Sequence, residues 1–159
     1  MKPLERDVET LRRVPLFAGL STAALKLLAY TAEIVHFQPG EVIARAGEQR
    51  RAIDLVVEGD IEVWLDQPGA RSVRLWTMGP PSLVGETAVL CRAAPATTVR
   101  AKGPVVTFRI ASDVFVALLQ DHAEMRFHVM KKLAQQLESA SFMLGHGGSL
   151  KAPVQSSAV

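Results

Sequence analysis

A mainly β domain with helices at both ends, folded as a compact antiparallel barrel or jelly roll, is the fold class this sequence predicts. Three observations carry it. Short apolar runs rich in β-favouring residues recur between Gly, Pro and charged turn signals at intervals of roughly ten residues. These runs lie in one block, 33–110, and nothing in the block alternates as strand–helix–strand, which argues against a parallel doubly wound sheet. Both flanks, 1–30 and 111–144, have helical spacing of their apolar residues.

The elements follow in order along the chain. Lys2 to Val14 spaces Leu4, Val8 and Leu11 among charges and reads as a short surface helix. Pro15 and Gly19 then punctuate VPLFAGLS. Ser21 is a good N-cap for a helix over about Thr22 to Tyr30, with Leu25, Leu27 and Leu28 expected to be buried. Glu33 to Arg45 reads as short extended pieces around a Pro39-Gly40 turn. Gly47 and the charged run Glu48 to Arg51 make the next turn. Ala52 to Val57 and Ile61 to Leu65 read as strands parted at Glu58-Gly59-Asp60, a hairpin break. After Pro68-Gly69, Ser72 to Met78 alternates as a half-buried strand. Thr97 to Ala101 and Val105 to Ile110 are the last strands, parted by Gly103-Pro104. Ser112 is expected to cap a helix containing Val114, Phe115, Leu118 and Leu119. His122 to Leu144 is a longer helix with one apolar stripe. The Gly-, Ser- and Pro-rich stretch 145–159 is expected to be a disordered tail. Residues 1–144 therefore read as a single domain.

Composition narrows the function classes. The chain has 159 residues, 48% hydrophobic and 21% charged, with a formal net charge of +2 from 18 basic and 16 acidic residues. The bases are scattered, with Arg12-Arg13, Arg50-Arg51 and Lys131-Lys132 as adjacent pairs, and no concentrated basic face of the kind nucleic acid needs is visible. No apolar run has bilayer length, and MKPLERDVETLRRV has no apolar core of a secretory signal. The expectation is a soluble cytoplasmic protein. The one cysteine, Cys91, cannot form an intramolecular disulfide and reads as a small buried apolar residue at a helix end. The four histidines are not clustered with ligand spacing, so no metal site is expected. No nucleophile elbow and no convergent catalytic set is visible, and the chain is not expected to be an enzyme.

The informative stretch is LVGETAVLCRAAPATTVRA, residues 83–101. Gly85 lets the backbone turn and approach a ligand closely. Glu86 to Leu90 would begin a helical turn whose first amides are free and whose dipole favours the Glu86 carboxylate. That carboxylate could accept two hydrogen bonds from a sugar hydroxyl pair, and Thr97 and Thr98 add hydroxyls from the next strand. Spacing alone supports a capped turn equally well.

This stretch resembles the phosphate-binding cassette of cyclic nucleotide-binding domains. Gly85-Glu86-Thr87-Ala88-Val89-Leu90 matches the start of that pattern and Thr98-Val99-Arg100-Ala101 its end. VPLFAGLS at 14–21, FQPGEVIARAGE at 37–48 and LVVEGDIEVW at 55–64 extend the resemblance over about residues 10–140. It implies an eight-stranded antiparallel β-roll between N-terminal helices and C-terminal lid helices. It implies a regulatory module that senses cAMP or cGMP, with no cofactor. Amides of Gly85 and Ala88, or neighbours such as Thr87, would meet the cyclic phosphate. Glu86 would hold the ribose 2′-hydroxyl, and Thr98 would lie near the phosphate or base. The last helix would act as a lid and as a dimer or effector surface.

Two departures qualify what the resemblance implies. The family's phosphate-pairing arginine falls on Pro95, in a loop Ala93-Ala94-Pro95-Ala96 that carries no cation, and Pro81-Ser82 replaces a usual Gly-Asp. Arg92, three residues upstream, is the one local candidate to reach back. Two readings therefore stand side by side. One is a nucleotide sensor with weakened or altered affinity. The other is a degenerate fold serving as a protein-interaction or dimerisation module without nucleotide. The family's transcription factors carry a helix-turn-helix after the lid helix, and only a short polar tail follows Leu144 here, so DNA binding by this chain alone is not expected.

Overall fold

In the computed structural model, residues 3–145 are described, and they form two compact units: residues 31–116, and residues 3–30 with 117–145. The tail expected at 145–159 lies outside the described residues apart from Gly145, which closes the last helix.

The unit of residues 31–116 holds eight strands. They are β1 (Glu33–Phe37), β2 (Val42–Ala44), β3 (Ala52–Glu58), β4 (Ile61–Leu65), β5 (Val73–Met78), β6 (Ser82–Val84), β7 (Thr97–Ala101) and β8 (Val105–Ala111). They pair antiparallel in two four-stranded sheets, ordered β1-β8-β3-β6 and β2-β7-β4-β5. This is the β-roll that the turn spacing and the resemblance predict. Alternation sets its faces. Val56, Val84 and Val105 from the first sheet and Ile61, Val63, Val99 and Ala101 from the second are buried in one cluster, with Trp76 and Met78 packed against it. Directly opposed residues share a face, so the pairs Val56↔Thr107 and Asp54↔Arg109 lie on the inner face of the first sheet. The β3–β4 hairpin turns at Gly59, whose φ of +82° few L side chains adopt and whose missing Cβ leaves room for the Pro104 carbonyl.

Between β6 and β7 the helix α3 (Glu86–Cys91) forms at the predicted place, but Cys91, expected to be buried, is exposed, because the end of α3 lies at the surface with Leu90 and Arg92. β6 was not foreseen: three residues buried throughout show no alternation.

The other unit contains α1 (Pro3–Arg12), a 3-10 turn at Pro15–Phe17, α2 (Thr22–Thr31) and α5 (Ala123–Gly145); α4 (Ser112–Asp121) begins in the roll unit and ends in this one. The Ser21 hydroxyl accepts the Ala24 N–H at 3.1 Å, which is the expected cap of α2. Leu25, Leu28 and Ala29 are buried, but Leu27 is 64% exposed, contrary to expectation. Two helical residues on from Leu25 is about 200° around the axis, so both cannot face one core. Ser112 is the first residue of α4 rather than its cap, and the Asp113 carboxylate accepts the Val114 N–H instead. On α5 Met125 and Val129 are buried, whereas Phe127, Met130, Leu137 and Leu144 are at least 65% exposed. Among the described residues no helix is long and apolar enough to cross a membrane.

Candidate functional site

Gly85 joins β6 to α3 in the left-handed region, φ +95°, and serves as the N-cap of α3 without a side-chain bond. A glycine adopts this φ without the Cβ clash that other residues meet. A Cβ there would also lie 2.7 Å from Arg50 Nε. Glu86 is buried at 5% exposure in the first turn, Ala88 is buried, and Thr87 faces out. Three predicted residues, Gly85, Glu86 and Ala88, are thus brought together at one turn, with Thr87 on its outer side.

Arg92 ends α3 with φ +51°, its N–H turned back to Ala88 and Val89 carbonyls. Its side chain is exposed and lines a cavity of about 380 Å³ with Arg50, Ala88, Ala93 and Asp113. Past it, the Pro95 carbonyl accepts the Gly47 N–H at 2.9 Å. Thr97 is half-buried at the start of β7.

Thr98 pairs with Trp64 and so lies on the face opposite Val99 and Ala101. It is fully buried there. Its hydroxyl accepts the Ala46 N–H at 3.1 Å and donates to Asp66 Oδ2 at 2.5 Å. Asp66 also receives the Ser72 hydroxyl at 2.6 Å. Hydrogen bonds from Ser72 and Thr98, with the charges of Arg100 and Arg45 adding to them, hold the Asp66 carboxyl below its ordinary pKa. Thr98 therefore clips the β2–β3 loop to the β4–β5 hairpin, and its hydroxyl is already engaged on both sides.

The charged centre of the roll is elsewhere. Asp54, fully buried, accepts Thr107 Oγ1 at 3.0 Å, Arg109 Nε at 3.0 Å and Arg109 Nη2 at 3.3 Å. Its other arginine is Arg50, paired through Nη2. Arg50 further donates from Nη1 to the Ile43 carbonyl at 2.7 Å and from Nε to the Ala52 carbonyl at 3.2 Å. It thus ties both ends of the β2–β3 loop to the inner face and runs beneath Gly85. Arg109 lies with its guanidinium carbon 5.9 Å from the centre of the Phe37 ring. Sequence reading missed all three. The available signal was a carboxylate in the inward register of a strand otherwise apolar, AIDLVV, which demands a buried partner.

Among the described residues no group of three or more His, Cys, Asp or Glu is placed to hold a metal ion.

Residues 34–122 match the family model of the cyclic nucleotide-binding domain. The chain is 28% identical over 108 residues to a lysophospholipase, nte1, of Aspergillus fumigatus; the match covers 68% of this chain and 7% of that protein. A cAMP-binding acyltransferase from Mycobacterium smegmatis has a similar structure, with a TM-score of 0.68 and 25% identity over 86% of this chain and 42% of that one. The sensor domain of the transcriptional regulator DNR from Pseudomonas aeruginosa superposes with a TM-score of 0.75 at 20% identity, covering 96% of this chain and all (100%) of that one. In the enzyme relatives the similar segment is thus a part of a much longer protein.

Proposed function

The chain belongs to the cyclic nucleotide-binding domain family, and from that premise we propose that it senses a cyclic nucleotide, cAMP or cGMP, through the 85–98 cassette with weakened or altered affinity. The observation that carries this reading is the turn itself. Gly85 sits in the left-handed region and delivers Glu86, buried, onto the first turn of α3. A carboxylate at this turn can accept two hydrogen bonds from a ribose hydroxyl pair. The changed affinity follows from the cassette loop, where Pro95 stands in the position of a phosphate-pairing arginine. A lost charge-assisted hydrogen bond costs roughly 1.5–3 kcal/mol, about one to two decades of affinity. As a regulatory module it must bind its ligand differently in two states, since equal affinity for both shifts nothing. Calorimetric titration with cAMP and cGMP, beside Glu86→Gln, tests it. Micromolar binding that the substitution weakens by tenfold or more supports the reading. No heat and no thermal shift at millimolar ligand overturns it.

A second reading has its own observation. On α5, Phe127, Met130, Leu137 and Leu144 stand exposed at the three- and four-residue intervals of a coiled-coil seam, completed by Ala134 and Ser141. That pattern favours a homodimerisation helix, whether or not nucleotide binds.

A further inference from the structure

We infer that the phosphate-recognising cation of this roll has moved from the cassette to the inner face of the sheet. Arg109, held by Asp54, presents its guanidinium to the phosphoryl oxygens of a nucleotide. The inference rests on the nucleotide reading for its ligand class, and on separate residues for its argument.

Register puts Arg109 and Asp54 directly opposite each other on β8 and β3, facing inward with Val56 and Val105. Arg109 lines a cavity of about 420 Å³, within the size range of small-ligand sites, and Asp54 lies outside its lining. Its charged lining is Arg45, Arg50, Arg51 and Arg109 against Glu48. Counting Asp54 behind it, four arginines face two carboxylates, and the excess is positive. Glu48 is itself within 3.5 Å of Arg45, so it does not neutralise the other three.

The two inner arginines have different roles. All three nitrogens of Arg50 are engaged, and its side chain is 11% exposed. It is a brace. Arg109 turns Nε and Nη2 to Asp54, while its Nη1 has no hydrogen bond among the described residues, and its side chain is 31% exposed. A guanidinium carries five donors in a fixed fork, so anchoring one edge on a carboxylate aims the other. The Phe37 ring adds a cation–π contact at 5.9 Å from its guanidinium carbon. Asp54 is accordingly a positioning residue, and Arg109 the group that meets the anion. The cassette loop, Ala93-Ala94-Pro95-Ala96, supplies no competing cation.

The test is a titration of the full chain and of Arg109→Gln, Arg109→Lys and Glu86→Gln with cAMP, cGMP, adenosine and inorganic phosphate. The expected result is that Arg109→Gln weakens cAMP by about tenfold or more and leaves adenosine unchanged, while Arg109→Lys, which keeps the charge, recovers part of the loss. A merely structural arginine would weaken both ligands together. If cAMP binds and Arg109→Gln equals the parent while Glu86→Gln loses binding, the inference fails and the nucleotide reading stands. If neither cyclic nucleotide binds at millimolar levels, the nucleotide reading fails. Thermal stabilisation by inorganic phosphate, present in the parent and absent in Arg109→Gln, would then keep the anion site as one for free phosphate, and its absence would overturn it. Should Arg109→Gln not fold, the comparison of cAMP with adenosine in Arg109→Lys decides: a selective weakening toward cAMP supports the site, and an equal change in both refutes it.

Discussion

Replacing Asp54 by alanine removes the one carboxylate that three inward donors share. Thr107 loses a charge-assisted hydrogen bond at 3.0 Å, and Arg109 loses a bond from each of two nitrogens. Arg50 loses its ion pair while its side chain stays 11% exposed. Breaking a buried pair by deleting one partner costs roughly 3–5 kcal/mol, because the surviving charge is left uncompensated. Arg109, at 31% exposure, can turn partly to water, so its share is discounted. Arg50 cannot, because its remaining bonds to Ile43 and Ala52 hold it in place. The expected loss is therefore about 3 kcal/mol, or a fall in melting temperature of about 6–12 °C for a chain of this size. Thermal unfolding followed by circular dichroism measures it. Asp54→Leu is the control for volume: it fills the space and leaves both cations unpaired, so it should fall as far. A melting temperature for Asp54→Ala within about 2 °C of the parent would refute the buried-triad argument. Recovery in Asp54→Leu would show that packing, not charge pairing, sets the loss.

Four further outcomes follow from the same geometry. Gly85→Ala forces a side chain into the left-handed region and against Arg50 Nε at 2.7 Å, which its other bonds keep from retreating; it should cost about 2 kcal/mol or more in thermal unfolding. Gly59→Ala meets the Pro104 backbone carbonyl at φ +82°, and Val105 Cγ2 at 3.0 Å; since a backbone atom cannot yield cheaply, about 2–4 kcal/mol should be lost, read by the denaturant midpoint. Asp66 is held below its ordinary pKa chiefly by Ser72. It therefore contributes stability above its unfolded pKa, lost as pH falls through the lower folded value. The melting-temperature gap between the parent and Ser72→Ala should be largest at neutral pH and shrink below about pH 4. Leu137→Glu, at a side chain 70% exposed, should leave each protomer's melting within about 0.5 kcal/mol of the parent, and light scattering should report monomer if α5 forms the seam.

The roll was legible because its strands obey local rules. Ala52–Glu58, Ile61–Leu65 and Val105–Ala111 each lie within a residue or so of the runs read from alternation and turn residues. The Gly85 turn and α3 were legible for the same reason, since a glycine followed by an acid and small apolar residues encodes a local geometry. Ser82–Val84 was not, because three buried residues carry no period. Leu27 was misplaced by counting leucines where angle around the helix decides. The Arg50–Asp54–Arg109 centre escaped for a deeper reason. Arg109 is 55 residues from Asp54, and only the β3–β8 register makes them neighbours. Arg50 read as one of a charged turn, which on sequence is normally a solvated feature. Thr98 was legible as a motif residue, but its hydrogen bonds to Ala46 and Asp66 were not, since only the fold brings those partners to it.

The loss of a cation from the cassette and the presence of two on the inner face bear on one another through electrostatics. Were the roll kept only as a scaffold, a buried ionic centre would bring little stability over apolar residues of the same volume. A centre with two guanidinium groups on one carboxylate would bring less still, since the second charge lacks a full counterpart in a medium of low effective dielectric. The arrangement is least costly when an anion completes it. A cassette arginine would add a further positive charge to this surplus, so a loop reading Ala-Ala-Pro-Ala is electrostatically consistent with it. On this argument Pro95 and Arg109 are one design. Restoring the cassette cation as Pro95→Arg should then gain little affinity in the parent and appreciably more in Arg109→Gln.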